Sequence, residues 1–158
     1  MYLNALEFLE EEREAWRPFE ALASLPDDRM EVPVEGAHGW SARDLMAHLL
    51  AWQGWALAVA RDLAVGETSD SAARLDALWE ERGDAYNDDV LREWRDLPIQ
   101  EVRDRFAETP GELRGYLTVV PEARWVKHPT NLRTFIDETI DHYADHTTEL
   151  AAVLAAAG

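Results

Sequence analysis

The sequence predicts an all-α fold, specifically a four-helix bundle with extra short helical segments in the connections. Apolar residues recur at helical spacing over four long segments, and no stretch alternates apolar and polar residues as a strand does. The chain has 158 residues, 47% of them hydrophobic, which is enough for one domain with a sizeable core. We therefore expect a single domain over residues 1–158.

The first two helices have recognisable ends. The first segment covers about residues 2–25, and Pro18 is expected to kink or split it. The second begins at a predicted capping box, with Ser41 as the N-cap and Asp44 three positions later. Gly66 fits its C-terminal end. Its apolar seam has the alternating spacing of four and three residues that is typical of bundles, and consists of Leu45, Leu49, Trp52, Ala56, Val59 and Leu63.

The second half of the chain is less regular. Residues 72–97 have a helical, highly charged pattern that Gly83 and neighbouring polar residues interrupt. Pro98 fits the start of a third long helix, which residues 109–111 (Thr-Pro-Gly) are expected to kink or restart. Thr130 or Asn131 is expected to cap one long last helix.

Composition excludes several classes of function. The 15 basic and 32 acidic residues give a formal net charge of −17, so binding to nucleic acid or to an anionic membrane surface is not expected. With no cysteine, the chain forms no disulfide or thiolate zinc site and has no cysteine nucleophile. No apolar run is long enough for a transmembrane helix and no signal-peptide pattern is visible, so we expect a cytoplasmic protein.

Two histidines, His142 and His146, are four residues apart in the last predicted helix. Positions i and i+4 are neighbours on one helix face, so the two imidazoles could share a divalent ion. His48 lies at the edge of the apolar stripe of the second helix, and a packing of that helix against the last one would complete a three-histidine site with open positions. The alternative, that these are ordinary helix histidines, stays open on spacing alone.

Neighbouring residues narrow the chemistry. The His-Glu-x-x-His motif of zincin proteases is absent because position 143 is Tyr. Asp145 and Glu149 could support the site, although solvated acids are the expected interpretation. His38 and His128 lie in connections and are expected to be surface residues.

The chain resembles the DinB/YfiT-like metalloenzymes. Residues 39–52, Gly-Trp-Ser-Ala-Arg-Asp-Leu-Met-Ala-His-Leu-Leu-Ala-Trp, are similar to the family's Trp-(Ser/Thr)-x-x-(Asp/Glu)-x-x-x-His opening of helix two. Residues 142–146 are similar to its His-x-x-x-His in helix four. The Trp-rich middle also resembles the ClbS/DfsB-like branch, which is linked to self-protection against a reactive metabolite.

The resemblance implies an up-down-down-up bundle in which His48, His142 and His146 bind nickel or zinc. It also implies a low-molecular-weight thiol as a co-substrate and pairing as a homodimer. Many members have an Arg after the last histidine, where this chain has Thr147, so the contacts of thiol transferases with their substrates do not carry over.

Three functions remain open at this point. The first is a metal-dependent enzyme that acts on a small molecule, by thiol S-transfer or hydrolysis, with a metal-bound water or thiol as the nucleophile. The second is a protein of self-protection or stress response that binds a small molecule without turnover. The third is a scaffold dimer with a structural metal. Trp40, Trp52, Trp55 and Tyr143 are the candidate residues of a substrate pocket.

Overall fold

A computed structural model describes all 158 residues, and it contains helices and no strand. The first half contains three α-helices and two 3₁₀ segments: α1 (Ala5–Trp16), a 3₁₀ helix (Arg17–Ser24), α2 (Asp27–Met30), a 3₁₀ turn (Glu35–Ala37) and α3 (Ala42–Val65). The second half contains α4 (Asp70–Arg82), α5 (Ala85–Arg95), α6 (Ile99–Val119), a 3₁₀ turn (Glu122–Arg124), α7 (Pro129–Glu138), α8 (Ile140–Asp145) and α9 (Thr147–Ala157). The all-helical prediction is confirmed.

Helix α3 is the centre of the fold. It packs along α6 and also contacts α4, α5, α7 and α9, while α1 packs against α6 and α8. Sixteen residues of α3 are buried, so it has little polar face. Two apolar clusters fill the interior, one around Trp16, Phe19 and Tyr143 and the other around Trp125 and Phe135.

The predicted start of α3 is confirmed in detail. The Ser41 Oγ accepts a hydrogen bond from the backbone N–H of Asp44 at 3.1 Å, and the Asp44 carboxylate accepts one from the Ser41 N–H at 3.1 Å. The helix then continues without a break to Val65, with Gly66 after it. The capping box therefore fixes the register that places His48 in the second turn.

Pro18 and Pro110 have different effects. The α-helical part of the first segment ends at Trp16, and the chain continues as a 3₁₀ helix that contains Pro18. The predicted split at this proline is confirmed. By contrast, no restart occurs at residues 109–111, since α6 runs through Pro110. The buried face continues on both sides of this proline, from Phe106 to Leu113, and this packing outweighs the lost hydrogen bond.

The last helix differs from its prediction. It is three short helices, interrupted at Thr139 and at His146. It begins at Pro129, and the N-cap is His128, whose Nδ1 accepts from the Asn131 N–H at 3.2 Å, so neither Thr130 nor Asn131 is the cap. The predicted helical region over residues 72–97 is likewise two helices, α4 and α5, which separate at Gly83 (φ 53°).

Candidate metal centre

Helices α3 and α8 bring the three predicted histidines together. His48 comes from α3 and is 4% exposed. His142 lies in α8, and His146 lies at the junction of α8 with α9. Both are half-buried. The sequence alone did not show that these elements touch; the fold places them side by side.

The three Nε2 atoms form a compact triangle. The distances are 2.9 Å from His48 to His142, 3.0 Å from His48 to His146, and 3.2 Å from His142 to His146. The three residues are the one set of three His, Cys, Asp or Glu side chains whose donor atoms gather closely enough to hold an ion.

Hydrogen bonds among the histidines do not account for this triangle. A neutral imidazole nitrogen either carries a proton or offers a lone pair, and not both. Among three mutually close nitrogens, at least two have the same role, so at least one pair is repulsive. A cation that all three lone pairs contact removes that conflict.

The spacing also fits a divalent ion. Two nitrogens bound at about 2.0–2.1 Å, with an angle of about 90–110° between them, lie about 2.9–3.4 Å apart. The observed sides of 2.9–3.2 Å fall in that range. The group can therefore hold a metal ion.

The histidines are held in the form that binds metals. Burial, followed by repulsion from His146, lowers the pKa of His48 to about 3. Burial, followed by His48 and His146, lowers the pKa of His142 to about 2. Burial also lowers the pKa of His146, although Glu149 and Asp145 oppose the shift. At neutral pH these imidazoles are uncharged, so no proton competes with a metal ion.

A cavity of about 760 Å³ opens beside the triangle. It is lined by Trp40, His48, Trp52, Leu75, Asp76, Trp79, Glu80, Asn87, Asp137, Glu138, His142 and His146. The ring centre of Trp40 is 4.8 Å from that of His48, and the ring centre of Trp52 is 5.9 Å from that of His142. The histidines thus form one end of a space that is large enough for a small molecule.

A comparison with protein families matches residues 9–146 to the mycothiol maleylpyruvate isomerase N-terminal domain. The chain belongs to that family. The matched segment covers most of the chain and includes all three histidines, and the family is part of the DinB/YfiT-like superfamily, as the resemblance indicated. No curated protein and no solved structure gives a match.

In this family member, an acid supports the third histidine. Glu149 is 8% exposed, so the expectation of a solvated acid is wrong for it. Its Oε1 lies 3.6 Å from the Nδ1 of His146 and 3.2 Å from the Nε2 of His38. Asp145 is exposed, as expected. The 3.6 Å contact with His146 is too long for a hydrogen bond, but the negative charge of Glu149 favours a proton on Nδ1 of His146, which leaves the Nε2 lone pair for the triangle.

A second polar chain lies behind the histidines. The hydroxyl of Tyr143 donates to Glu12 at 2.9 Å and accepts from the amide of Gln53 at 2.8 Å. Arg114 donates to Glu12 at 2.6 Å. Burial and Glu12 raise the pKa of Tyr143 well above its ordinary value, so it stays protonated. These bonds join α1, α3, α6 and α8 and fix the backbone next to His142.

Two of the four predicted pocket residues line the cavity. They are Trp40 and Trp52, whereas Trp55 and Tyr143 are not among its lining residues. Trp55 donates instead to the Tyr86 hydroxyl at 2.9 Å. His38 is exposed and reaches only Glu149, and His128 caps α7.

Sequence reasoning missed the far wall of the cavity. That wall comes from α4, α5 and the end of α7: Leu75, Asp76, Trp79, Glu80, Asn87, Asp137 and Glu138. A signal existed for Glu138, which precedes His142 by four residues and His146 by eight and so falls on the same helical stripe. The rest depends on how α4 and α5 fold over α3, which no local pattern encodes.

Proposed function

We propose that this chain is a metal-dependent enzyme that acts on a small molecule by thiol S-transfer or hydrolysis. His48, His142 and His146 would hold a divalent ion, nickel or zinc, through their Nε2 atoms. A divalent ion in such a site lowers the pKa of a bound water or thiol and so supplies a nucleophile near neutral pH.

The single observation that carries this proposal is the Nε2 triangle at the end of a cavity of about 760 Å³. No acidic side chain joins the three donors, which leaves positions for a water, a thiol or a substrate. A structural ion is normally enclosed by four protein ligands, so an open three-histidine group favours catalysis or ligand binding over a staple between α3 and α8.

The chain's own residues have separable tasks in this proposal. Trp40 and Trp52 would exclude water beside the histidines and position the apolar part of a substrate. Glu149 would orient His146. The family is named for mycothiol, which supports a low-molecular-weight thiol as the co-substrate.

Other features are proposals of the same rank. They are a homodimer, a cytoplasmic location, a single domain over residues 1–158, an up-down-down-up arrangement of the helices, and membership of the ClbS/DfsB-like branch. None of the helices combines the length and the apolar composition that a membrane span requires.

Metal analysis of protein purified without a histidine tag tests the site. Wild type and His128→Ala, a matched histidine variant outside the site, should hold roughly one ion per chain, and His146→Ala should hold almost none. Equal metal content in all three proteins would overturn the site.

The chemistry is tested next, with a panel of low-molecular-weight thiols and a model electrophile. Turnover that disappears in His146→Ala supports an enzyme. Loaded protein that binds ligands without turning over any of them would contradict catalysis and favour the self-protection or stress role.

A further inference from the structure

The lining of the cavity outside the three histidines is acidic. Four carboxylates line it, from Asp76, Glu80, Asp137 and Glu138, and no Lys or Arg does. At neutral pH the histidines are uncharged and Glu138, with its pKa raised to about 8, keeps its proton, so the other three acids give the lining a charge of −3, which a divalent ion at the triangle would offset only in part.

Most of these carboxylates have no cationic partner in the chain. Asp137 pairs with Arg133 on the outer side of α7. Asp76, Glu80 and Glu138 form no ion pair and no side-chain hydrogen bond. With 32 acidic and 15 basic residues, many acids of the chain lack a partner, but these three line one cavity that contains no Lys or Arg, so a cation from outside would be stabilised there.

Glu138 shows the cost of this arrangement most clearly. It is half-buried at the start of the segment that carries His142. Burial raises its pKa to about 8, and Asp137 and Asp76 add to the shift. A nearby positive charge would remove the penalty by stabilising the ionised carboxylate.

Aromatic faces surround the same space. Trp40, Trp52 and Trp79 all line the cavity, and the ring centres of Trp52 and Trp79 are 5.6 Å apart. Trp79 is 44% exposed, so its ring is accessible to a ligand in the cavity. Indole faces attract organic cations and also cover apolar groups.

A second metal ion does not explain these acids. No three of their oxygens gather within the 4.8 Å that marks a set of metal donors. A hydrated ion also gains nothing from tryptophan walls, whereas an organic cation uses both the carboxylates and the rings.

We propose that the substrate of this cavity is a small organic cation, an amine or amidine on an apolar body. The apolar body packs against the cavity-facing sides of Trp52 and Trp79, and the charged group faces Glu138 and Asp76. The inference rests on the proposed function only in making this ligand the substrate; the preference for cations stands without a metal ion.

Three nearly isosteric probes test the preference on zinc-loaded protein: phenethylammonium, 2-phenylethanol and 3-phenylpropionate. Calorimetry and tryptophan fluorescence measure the affinities. Phenethylammonium should bind about tenfold more tightly than the alcohol, because ion pairing at a partly exposed site and contact with an aromatic face each contribute a few-fold. Phenylpropionate should bind most weakly, and added salt should reduce the difference.

Matched variants locate the effect. At a pH above 8, where the carboxyl of Glu138 is ionised, Glu138→Gln and Asp76→Asn should each weaken phenethylammonium about threefold and leave the alcohol unchanged. Glu108→Gln removes the same charge from an exposed position of α6 outside the cavity, and it should change neither affinity. Circular dichroism verifies the fold of each variant, and the two cavity variants give independent readouts.

The outcomes separate this inference from the proposed function. Cation preference in a protein that takes up no metal would overturn the metal site and support the acidic pocket. A metal-loaded protein that binds phenylpropionate as well as phenethylammonium, or binds no cation, would overturn the inference and leave the metal site standing. A preference that Glu108→Gln reduces as much as Glu138→Gln would also overturn it, because net charge would then be the cause.

Discussion

Helix α3 and the segment from α7 to α9 supply the same triangle but are built differently. Helix α3 runs for 24 residues from a capping box to Gly66 without interruption. Residues 129–157 form three helices of 10, 6 and 11 residues. His48 therefore comes from a continuous rod, and His142 and His146 come from its broken counterpart.

One break precedes the paired histidines, at Thr139, and the other lies at His146 itself. Thr139 has φ −124° and ψ −94°, is fully buried, and donates its hydroxyl to the Phe135 carbonyl at 2.6 Å. His146 has φ −114° and ψ 12°. The Nε2 atoms of His142 and His146 nevertheless lie 3.2 Å apart. Helical spacing is thus sufficient to pair the residues, and contacts with other elements surround them: Glu149 contacts His38, and Tyr143 bonds to Glu12 and Gln53.

The largest expected effect tests whether α3 and α8 both hold their histidines neutral. In the unfolded chain these groups titrate near their ordinary pKa of 6.5, whereas in the fold the pKa is about 3 for His48 and about 2 for His142. Below pH 6.5 the unfolded chain binds protons that the folded chain does not. The metal-free protein should therefore lose stability as the pH falls from 6.5 towards 3, by about 1 kcal/mol per pH unit for each histidine.

One acid acts in the opposite sense. The raised pKa of Glu138, about 8, means that the folded chain keeps a proton from pH 8 down to 4.5 that the unfolded chain loses, so its contribution falls as the pH rises. Two strongly shifted histidines outweigh it below pH 6.5.

Urea unfolding at several pH values, with chelator present, measures the net slope of stability against pH. His48→Gln on α3 and His142→Gln on α8 should each flatten the slope, and His128→Gln should not; an equal slope in all four proteins would contradict the burial of neutral imidazoles.

The difference between α3 and the segment from α7 to α9 also explains how much of the structure the sequence could predict. The start of α3 was readable because Ser41 and Asp44 form a local signal whose partners are three residues apart. The three histidines were readable because their spacing and helix edges are local too. The breaks at Thr139 and His146 were not, since apolar residues at helical spacing continue past both positions, through Ile140 and Leu150, and tertiary packing decided the backbone.

The same reasoning applies to the pocket. Trp40 and Trp52 flank His48 in sequence and could be assigned to the pocket. Trp79 could not be assigned so directly, because the turn at Gly83 and the packing of α4 over α3 bring it in from elsewhere in the chain, whereas Glu138, four residues before His142, was marked by a local spacing. Glu149 was misassigned as solvated because its burial depends on the connection that carries His38, a contact across 111 residues.

A smaller effect, on zinc affinity, should appear in the segment from α7 to α9. Glu149→Gln removes the charge that attracts the Nδ1 proton of His146, so zinc affinity should fall about tenfold with little change in helix content. Asp145→Asn removes the same charge beside His146 from an exposed side chain, and it should leave the affinity nearly unchanged. Competition with a chromophoric chelator measures both; equal losses would show that net charge, and not orientation, sets the affinity.

The smallest effect should appear at the start of α3. Ser41→Ala removes the hydroxyl that caps α3 and should destabilise the protein by about 1 kcal/mol. Asp44 keeps its bonds to Arg95 at 3.0 Å, and Arg43 still donates to the Trp94 carbonyl at 2.8 Å, so the start of the helix stays in place. Zinc affinity should therefore match wild type, as it should in Ser69→Ala, which removes the equivalent cap of α4. A loss of zinc affinity in Ser41→Ala as large as that in Glu149→Gln would contradict this expectation. The cap of α3 would then matter to the triangle as much as Glu149 of α9 does, and His48 would be no better preorganised than His146.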